Sequence, residues 1–294
     1  MSVVVPVRRA PDTIVSTMTE LLGRQGLEII AVVSRDDPTC LLLRQLRAKH
    51  AELVLVEVNG DWSVPQLRAR GVRQARGRLV AITEDHCSFS ESWPAALAPA
   101  LDDPTIAAAG GPVVNARRDS ILDWAVFFSR YAGAMPPVAR GPARTLAGNN
   151  SCYRRELIEA HAALLLDGFW EHEFHEELLR QGLKLWLEPD ARVSHGKRYG
   201  LAAYCSLRFS HGDCFGGRKR GKLSFWALQR RILLSPLVPF LLSLRTARAV
   251  LWKGAQVREW LLAAPLLFLF HVMWTLGELT GYILGPGESC SHTD

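Results

Sequence analysis

The sequence predicts an α/β fold, a mostly parallel sheet flanked by helices, followed by hydrophobic C-terminal helices that associate with a membrane. Three observations carry this expectation. Strand and helix patterns alternate four times in the first hundred residues. The segments that follow those strand patterns are dense in charged residues. Beyond Leu223 the composition changes to long apolar runs broken by Arg and Lys.

Along the chain, residues 2–7 are a β-branched run typical of a buried strand. Pro11 and Asp12 open a helix in which Ile14, Met18, Leu21 and Leu22 recur at helical spacing. Further strands are expected at 27–33, 52–58 and 78–83, with helices at 40–50, 64–75 and 90–101. The second half is less regular. It predicts a strand at 106–114, an apolar-aromatic helix at 120–131 and a Gly- and Pro-containing loop at 132–145. Helices at 154–165 and 171–181 and a strand at 184–187 follow. The division expected from composition is a chemistry-bearing domain over residues 1–220 and a hydrophobic, membrane-associated region over 221–294.

At 294 residues, 48% hydrophobic and 22% charged, the chain is a folded protein with room for one large α/β domain or two small ones. Its net charge of +6 suits an anionic membrane surface or a phosphate-bearing substrate. No basic motif interleaved with aromatic residues is present, so nucleic acid is not an expected partner. The six cysteines form no C-x-x-C pair and have no zinc spacing with His, and all are expected to be reduced. No basic stretch precedes the first apolar run, which is too short for a secretory signal, so the N-terminal domain is expected in the cytoplasm.

Parallel sheets bind ligands at the carboxyl ends of their strands. Here those ends carry Val7-Arg8-Arg9, Arg35-Asp36-Asp37, Val58-Asn59-Gly60 and Glu84-Asp85-His86. Within Thr83-Glu84-Asp85-His86-Cys87, two carboxylates and an imidazole suit a divalent cation that keeps positions open for phosphate oxygens; the alternative is a polar loop with a helix cap. In the run from Glu171 to Glu177, Glu171 and His175 share one helix face, and Glu173 and Glu177 another. One carboxylate there can act as a general base, unless the run is a solvated helix face. Gly148-Asn149-Asn150-Ser151 offers amides for sugar hydroxyls or phosphate, or merely a turn. His195 lies at a strand end, where a lone His is more often structural.

Taken in order, these pieces resemble the family 2 glycosyltransferases, whose fold is the Rossmann-like GT-A type. The resemblance spans residues 2–220. It rests on Val3-Val4-Val5-Pro6-Val7, on Leu67-Arg68-Ala69-Arg70-Gly71 before Ala75-Arg76-Gly77, and on Val80 to Cys87 ending at Trp93. Gly148 to Arg155, Glu171 to Gly182 and Glu188 to His195 complete it. The resemblance implies a nucleotide-sugar donor held by Pro6, Val7, Asp36, Asp37, Arg68, Glu84 and Asp85. It implies that Asn149, Asn150 and Glu173 face the acceptor or the sugar. Glu84, Asp85 and His86 occupy the place of the family's D-x-D-type metal motif, and the implied metal ligands are Asp85, His86 and His195. The motif departs from a row of aspartates, and imidazole favours Mn²⁺ or Zn²⁺ over Mg²⁺. The implied cofactor is thus a divalent cation, Mn²⁺ or Mg²⁺. Glu171, eleven residues before Gly182, matches the family's catalytic base, which implies single displacement with inversion. Two other readings stand beside it. A nucleotidyltransferase would release pyrophosphate, but no Gly-rich, Lys/Arg-bearing loop follows the first strand. A catalytically inactive membrane scaffold is motivated by the altered residues at 34–35 and 84–86.

Two apolar runs close the sequence, 232–244 and 260–277, the second reaching Leu284 if Glu278 is tolerated. The first, with Pro236 and Pro239, is shorter than the roughly 20 residues a spanning helix needs. Arg245, Arg248, Lys253 and Arg258 lie between the runs, which by the positive-inside rule puts that loop in the cytoplasm. The expectation is one crossing by the second run, with the first in the interface; a two-span hairpin, which would put those four basic residues outside, and buried helices of a soluble lobe are the alternatives. The catalytic domain would face the cytoplasm at the cytoplasmic membrane. A lipid-linked or glycan acceptor would then be met close to the bilayer, in glycoconjugate or cell-envelope synthesis.

Overall fold

The computed structural model describes residues 1–292. By compactness the chain forms two units. The first comprises Met1–Ala116 and Ala134–Lys197, and the second comprises Arg117–Gly133 and the chain from Arg198 onward. Compactness draws the border at 197/198, ahead of the composition change near residue 221, and assigns residues 117–133 to the second unit.

The first unit begins with β1 (Ser2–Val7), α1 (Ile14–Leu22), β2 (Glu28–Ser34), α2 (Thr39–Lys49), β3 (Leu53–Val58), α3 (Val64–Val72) and β4 (Leu79–Ile82). It continues with β5 (Cys87–Phe89), β6 (Ile106–Gly110) and β7 (Val113–Asn115); α4 (Ile121–Tyr131) belongs to the second unit. After it come β8 (Gly141–Ala143), β9 (Ser151–Arg154), α5 (Arg155–Ala160), α6 (Glu171–Arg180), β10 (Lys184–Leu187) and β11 (Val193–His195). Eight strands form one sheet in the order β3-β2-β1-β4-β9-β6-β10-β8. The pairs β1–β2, β2–β3, β1–β4 and β6–β10 are parallel, while β9 runs against both its neighbours and β8 against β10. A second sheet, β5-β11-β7, carries His195 opposite Cys87. The sheet is therefore mostly parallel, as expected.

Every residue of β1 is buried. Val3, Val5 and Val7 pack into one hydrophobic cluster and Val4 into another, so helices cover both faces of the sheet. This is why β1 is a continuous β-branched run instead of an alternating one. Helix α3 starts with a capping box between Ser63 and Gln66. It lies close on the sheet because Gly71 has no Cβ to meet Val4 and Val32.

Four local expectations change. Residues 90–101 are not one helix but two 3₁₀ turns, Ala95–Leu97 and Pro99–Asp102, because Pro94 and Pro99 withhold the N–H groups a continuous helix needs. The strand expected at 106–114 divides into β6 and β7 at Gly111-Pro112, where Gly111 passes against the Ala191 carbonyl too closely for any side chain. The helix expected at 154–165 stops at Ala160 and continues only as a 3₁₀ turn. The loop 132–145 contains β8.

The second unit contains α7 (Leu201–Arg220), α8 (Phe225–Leu234), α9 (Val238–Lys253) and α10 (Val257–Leu284) in addition to α4. Two stretches, Phe225–Lys253 of 29 residues and Val257–Leu284 of 28, are long and apolar enough to cross a membrane. The first is longer than the expected apolar run because its prolines do not break it. Pro236 and Pro239 sit in the first turns of the 3₁₀ turn Ser235–Leu237 and of α9, where no N–H partner is missing. Helix α8 has no buried residue, and Trp226, Leu233, Phe240, Leu241 and Leu244 are exposed.

Helix α10 is instead partly buried within its unit. Gly277 and Gly281 lie against the backbone of Phe209 and Asp213 in α7, while Gly212 and Gly216 lie against the backbone of Trp274 and Glu278. Glycines four apart on both helices let the two main chains touch. Glu278 is tolerated because Tyr282 donates to it at 2.6 Å and in turn accepts from Arg231 at 3.1 Å. The six cysteines are not all thiols. Cys214 and Cys290 form a disulfide, while Cys40, Cys87, Cys152 and Cys205 are free. Their separation of 76 residues leaves no local spacing that sequence could register.

Two predictions follow from this packing. In Gly277→Ala the added methyl meets main chain that cannot rotate away, and detergent-solubilised protein should lose about 1–3 kcal/mol of stability in denaturant titration. The second concerns His175, whose Nε2 hydrogen-bonds the Tyr153 hydroxyl at 2.8 Å in the core. Burial depresses its pKa from 6.5 to about 4. The unfolded chain therefore takes up a proton that the folded one refuses. Stability should fall by about 1.4 kcal/mol per pH unit as pH drops from about 6.5 to about 4. His175→Gln should flatten that part of the stability–pH curve.

Candidate active site

The sheet brings four strand ends together. At the end of β1, the Arg8 backbone N–H donates to Asp85 Oδ2 at 2.8 Å, and the Arg8 guanidinium pairs with Asp61 at 3.0 Å. Arg9 takes a left-handed φ of 52°, and its N–H donates to Asp37 Oδ2 at 2.7 Å. Asp37 also accepts from the Thr39 N–H at 2.8 Å, so its carboxylate organises the turn into α2. Asp36 is exposed beside it, its N–H 3.4 Å from Ser34 Oγ, which donates to the Gly60 carbonyl at 2.7 Å. Pro6 and Val7 are the last buried residues of β1.

The loop after β4 is buried, with Glu84, Asp85 and His86 at 6%, 4% and 7% exposure. Its path is fixed from behind: Thr13 and Thr17 donate to the Asp85 carbonyl at 2.9 and 3.3 Å, and Thr17 also to the Cys87 carbonyl at 2.9 Å. The His86 ring is clamped between two acids. Its Nδ1 is 2.7 Å from Asp85 Oδ1 and its Nε2 is 3.1 Å from Glu84 Oε2. Burial opposes charging of the ring, but the two carboxylates outweigh it and raise the His86 pKa. His195 packs edge-on against His86, ring centroids 4.6 Å apart.

Donor atoms of Glu84, His86 and Cys87 lie within 4.8 Å of one another. A carboxylate and an imidazole this close fit a divalent cation of the Mn²⁺ type. Both Asp85 oxygens are taken, one by the Arg8 N–H and one by His86 Nδ1. That places Asp85 behind the imidazole, orienting it so that Nε2 faces Glu84. Burial and the neighbouring acids hold the Cys87 thiol protonated, which makes it a poor ligand.

Arg68 joins this loop to α6. Its Nη2 donates to Glu84 Oε1 at 2.8 Å and its Nη1 to Glu171 Oε2 at 2.7 Å. The Arg68 side chain is 4% exposed and that of Glu171 is 30% exposed. Gly148 makes room for this contact, since a Cβ there would overlap Glu171 Oε1. Sequence reasoning missed Asp61 and saw Gly148 only as the start of the Asn149-Asn150 run; the fold shows what each of them touches.

The remaining expected site residues divide. Asn150 is a structural knot: its Oδ1 accepts from Trp93 Nε1 at 2.9 Å, and its Nδ2 donates to the Ala191 and Pro112 carbonyls at 2.8 and 3.1 Å. Asn149 is 1% exposed, with its Nδ2 3.7 Å from Cys87 Sγ and no hydrogen bond at Oδ1. Glu173 is half-buried in the first turn of α6. Glu177, expected to share its face, is bound to Arg180 and Gln181 and closes the helix end.

The architecture and this site can be set beside known proteins. Among solved structures, the mannosyltransferase PcManGT from Pyrobaculum calidifontis, in complex with GDP-Man and Mn²⁺, aligns with a TM-score of 0.56 at 19% identity, over 95% of this chain and 86% of that one. S. aureus TarS 1–349 in complex with UDP-GlcNAc aligns with a TM-score of 0.52 at 13% identity, over 94% and 90%. GalNAc-T7 with UDP, GalNAc and Mn²⁺ aligns with a TM-score of 0.52 at 18% identity, over 67% of this chain and 43% of that one. No curated protein sequence matches the chain. These likenesses show a GT-A fold. Residues 2–161 match the sequence profile of Glycosyl transferase family 2, and the chain therefore belongs to that family of glycosyltransferases.

Proposed function

We propose that this glycosyltransferase moves a sugar, with inversion, from a nucleoside-diphosphate donor to a hydroxyl of a membrane-proximal acceptor, with Glu171 as the general base. The observation that supports this best is the fork of the buried Arg68, which ties Glu84 of the β4 loop and Glu171 of α6 into one hydrogen-bonded unit. A base on one side and a diphosphate site on the other is the arrangement that single displacement requires.

On this reading Asp36 and Asp37, with Pro6 and Val7, take the nucleoside, and Arg8 and Arg9 supply positive charge near the diphosphate. Glu84 and His86 would hold the divalent cation, with Asp85 orienting the imidazole and His195 packed behind it; Mn²⁺ fits this donor set better than Mg²⁺. When bound, the cation neutralises charge on the departing diphosphate. Glu171 Oε2 stays on Arg68, leaving Oε1, above Gly148, to take the proton of the acceptor hydroxyl. Asn149 and Glu173 are the polar groups assigned to sugar or acceptor; Asn150 is left out because its amide is fully bonded within the core. Nucleotide-sugars are cytoplasmic, so the first unit faces the cytoplasm. The apolar helices of the second unit hold it at the membrane, where a lipid-linked or glycan acceptor of envelope synthesis would be met.

The reading is tested by titrating solubilised protein with UDP-, GDP- and dTDP-sugars, with and without Mn²⁺, and following the melting temperature. One nucleotide series should raise it in a Mn²⁺-dependent way; no response to any series would count against transfer. With the donor so identified, Glu171→Gln should reduce turnover by about 10³-fold or more while nucleotide binding persists. Near-normal turnover would remove Glu171 from the role. Gly148→Ala, which displaces Glu171 Oε1 and only crowds Arg68 Nη1, should lower kcat by about 10–100-fold and change the donor Kd much less.

A further inference from the structure

The second unit contains a buried cation with no anion to match it. Arg208, in the middle of α7, is 8% exposed. Among the described residues it makes no hydrogen bond and no ion pair, and its Nε is sealed from solvent without a partner. Its one specific contact is with the ring of Trp274 in α10, whose centroid lies 4.5 Å from the guanidinium carbon. A cation–π contact offsets only part of the loss of hydration. A guanidinium remains charged in proteins, so it cannot escape the penalty by losing its proton.

The surroundings add positive charge and hydroxyls. The groups that act on Arg208 electrostatically are Tyr204, one turn earlier on the same face, and Arg130 of α4; no carboxylate is among them. Burial first, and then the Arg130 charge, pull its pKa down. Arg130 Nη1 donates to the Tyr199 hydroxyl at 3.3 Å, and the Tyr199 ring stands 5.0 Å from that of Tyr204. His271 of α10, whose Nδ1 is 2.9 Å from Ser243 Oγ, is an electrostatic neighbour of Arg208. Elements α4, α7 and α10 thus converge on a site with two guanidinium groups, the Tyr199 phenol and an imidazole, while the Tyr204 hydroxyl is committed to Ser129 and the Val126 carbonyl.

We propose that Arg208, with Arg130 and the Tyr199 hydroxyl, forms a phosphate-binding site in the second unit that receives the phosphate of a lipid headgroup. One observation favours a phosphate and a second its lipid source. The donors are guanidinium and hydroxyl groups, which match its oxygens. The lipid source follows from the exposed apolar surface of α8 and α9 in the same unit. The site is independent of the transferase reading, because binding here needs neither donor nor turnover.

The test uses the full chain in dodecyl maltoside, with the melting temperature followed as lipid is added in mixed micelles. Dioleoyl phosphatidic acid should raise it by about 3 °C or more, and dioleoylglycerol, with the same chains and no phosphate, should not. Arg208→Gln should abolish the rise and, without lipid, melt no lower than the wild type, because a buried unpaired charge has been removed. Should Arg208→Gln fail to fold, Arg130→Gln, at a half-buried position, should reduce the rise in a folded protein. An equal, Arg208-dependent rise with millimolar inorganic phosphate would uphold the chemistry and assign the site to a free anion. No rise with phosphatidic acid or phosphate, or the same rise in both variants as in the wild type, would overturn the proposal.

Discussion

The desolvated pairing of Arg68 with Glu84 and Glu171 is the constraint from which the rest of the first unit can be read. A guanidinium buried to this degree is costly unless it is matched, and its planar fork donates to two carboxylates only from fixed directions. One comes from the loop at the end of a central strand and the other from the first turn of α6. Helix α3, which carries Arg68, must therefore lie close on β1 and β2, and Gly71 is the residue that lets it do so. The capping box that starts α3 and the glycine at 148 serve the same end, each fixing one side of the triad.

Around that triad the polar residues form concentric support. Asp85 turns outward to the Arg8 main chain and inward to His86, and its own carbonyl is held by Thr13 and Thr17 of α1. The imidazole thus has little freedom of rotation before any ligand arrives. Such rigidity matters for a site that must stabilise charge as it develops, since groups already in place need no reorganisation.

Much of this was legible in the sequence because it follows from periodicity and from strand ends. The run Val3-Val4-Val5-Pro6-Val7 and the alternation of strands and helices predict a parallel sheet, and the sheet predicts where polar residues gather. The position of Glu171 came from resemblance and not from spacing, and the structure adds its partner. What the sequence hid depends on distant contacts. Asn149 and Asn150 look alike in sequence, but Asn150 is the residue enclosed by Trp93, Ala191 and Pro112. Two prolines mislead in opposite directions. Pro94 ends a helix that periodicity favoured, while Pro236 is accommodated where it seemed to break one. The disulfide joins cysteines whose separation carries no signal at all.

That covalent link also bears on how the chain meets a bilayer. Cys214 lies ahead of both apolar stretches and Cys290 behind them. Two sulfurs bonded to each other lie on one side of a membrane, so the polypeptide between them crosses it an even number of times or not at all. A single crossing has odd parity and would leave Cys214 and Cys290 on opposite faces, apart from each other. Either the two stretches enter and return together as a hairpin, carrying Arg245, Arg248 and Lys253 across with them, or both stay on the face they start from.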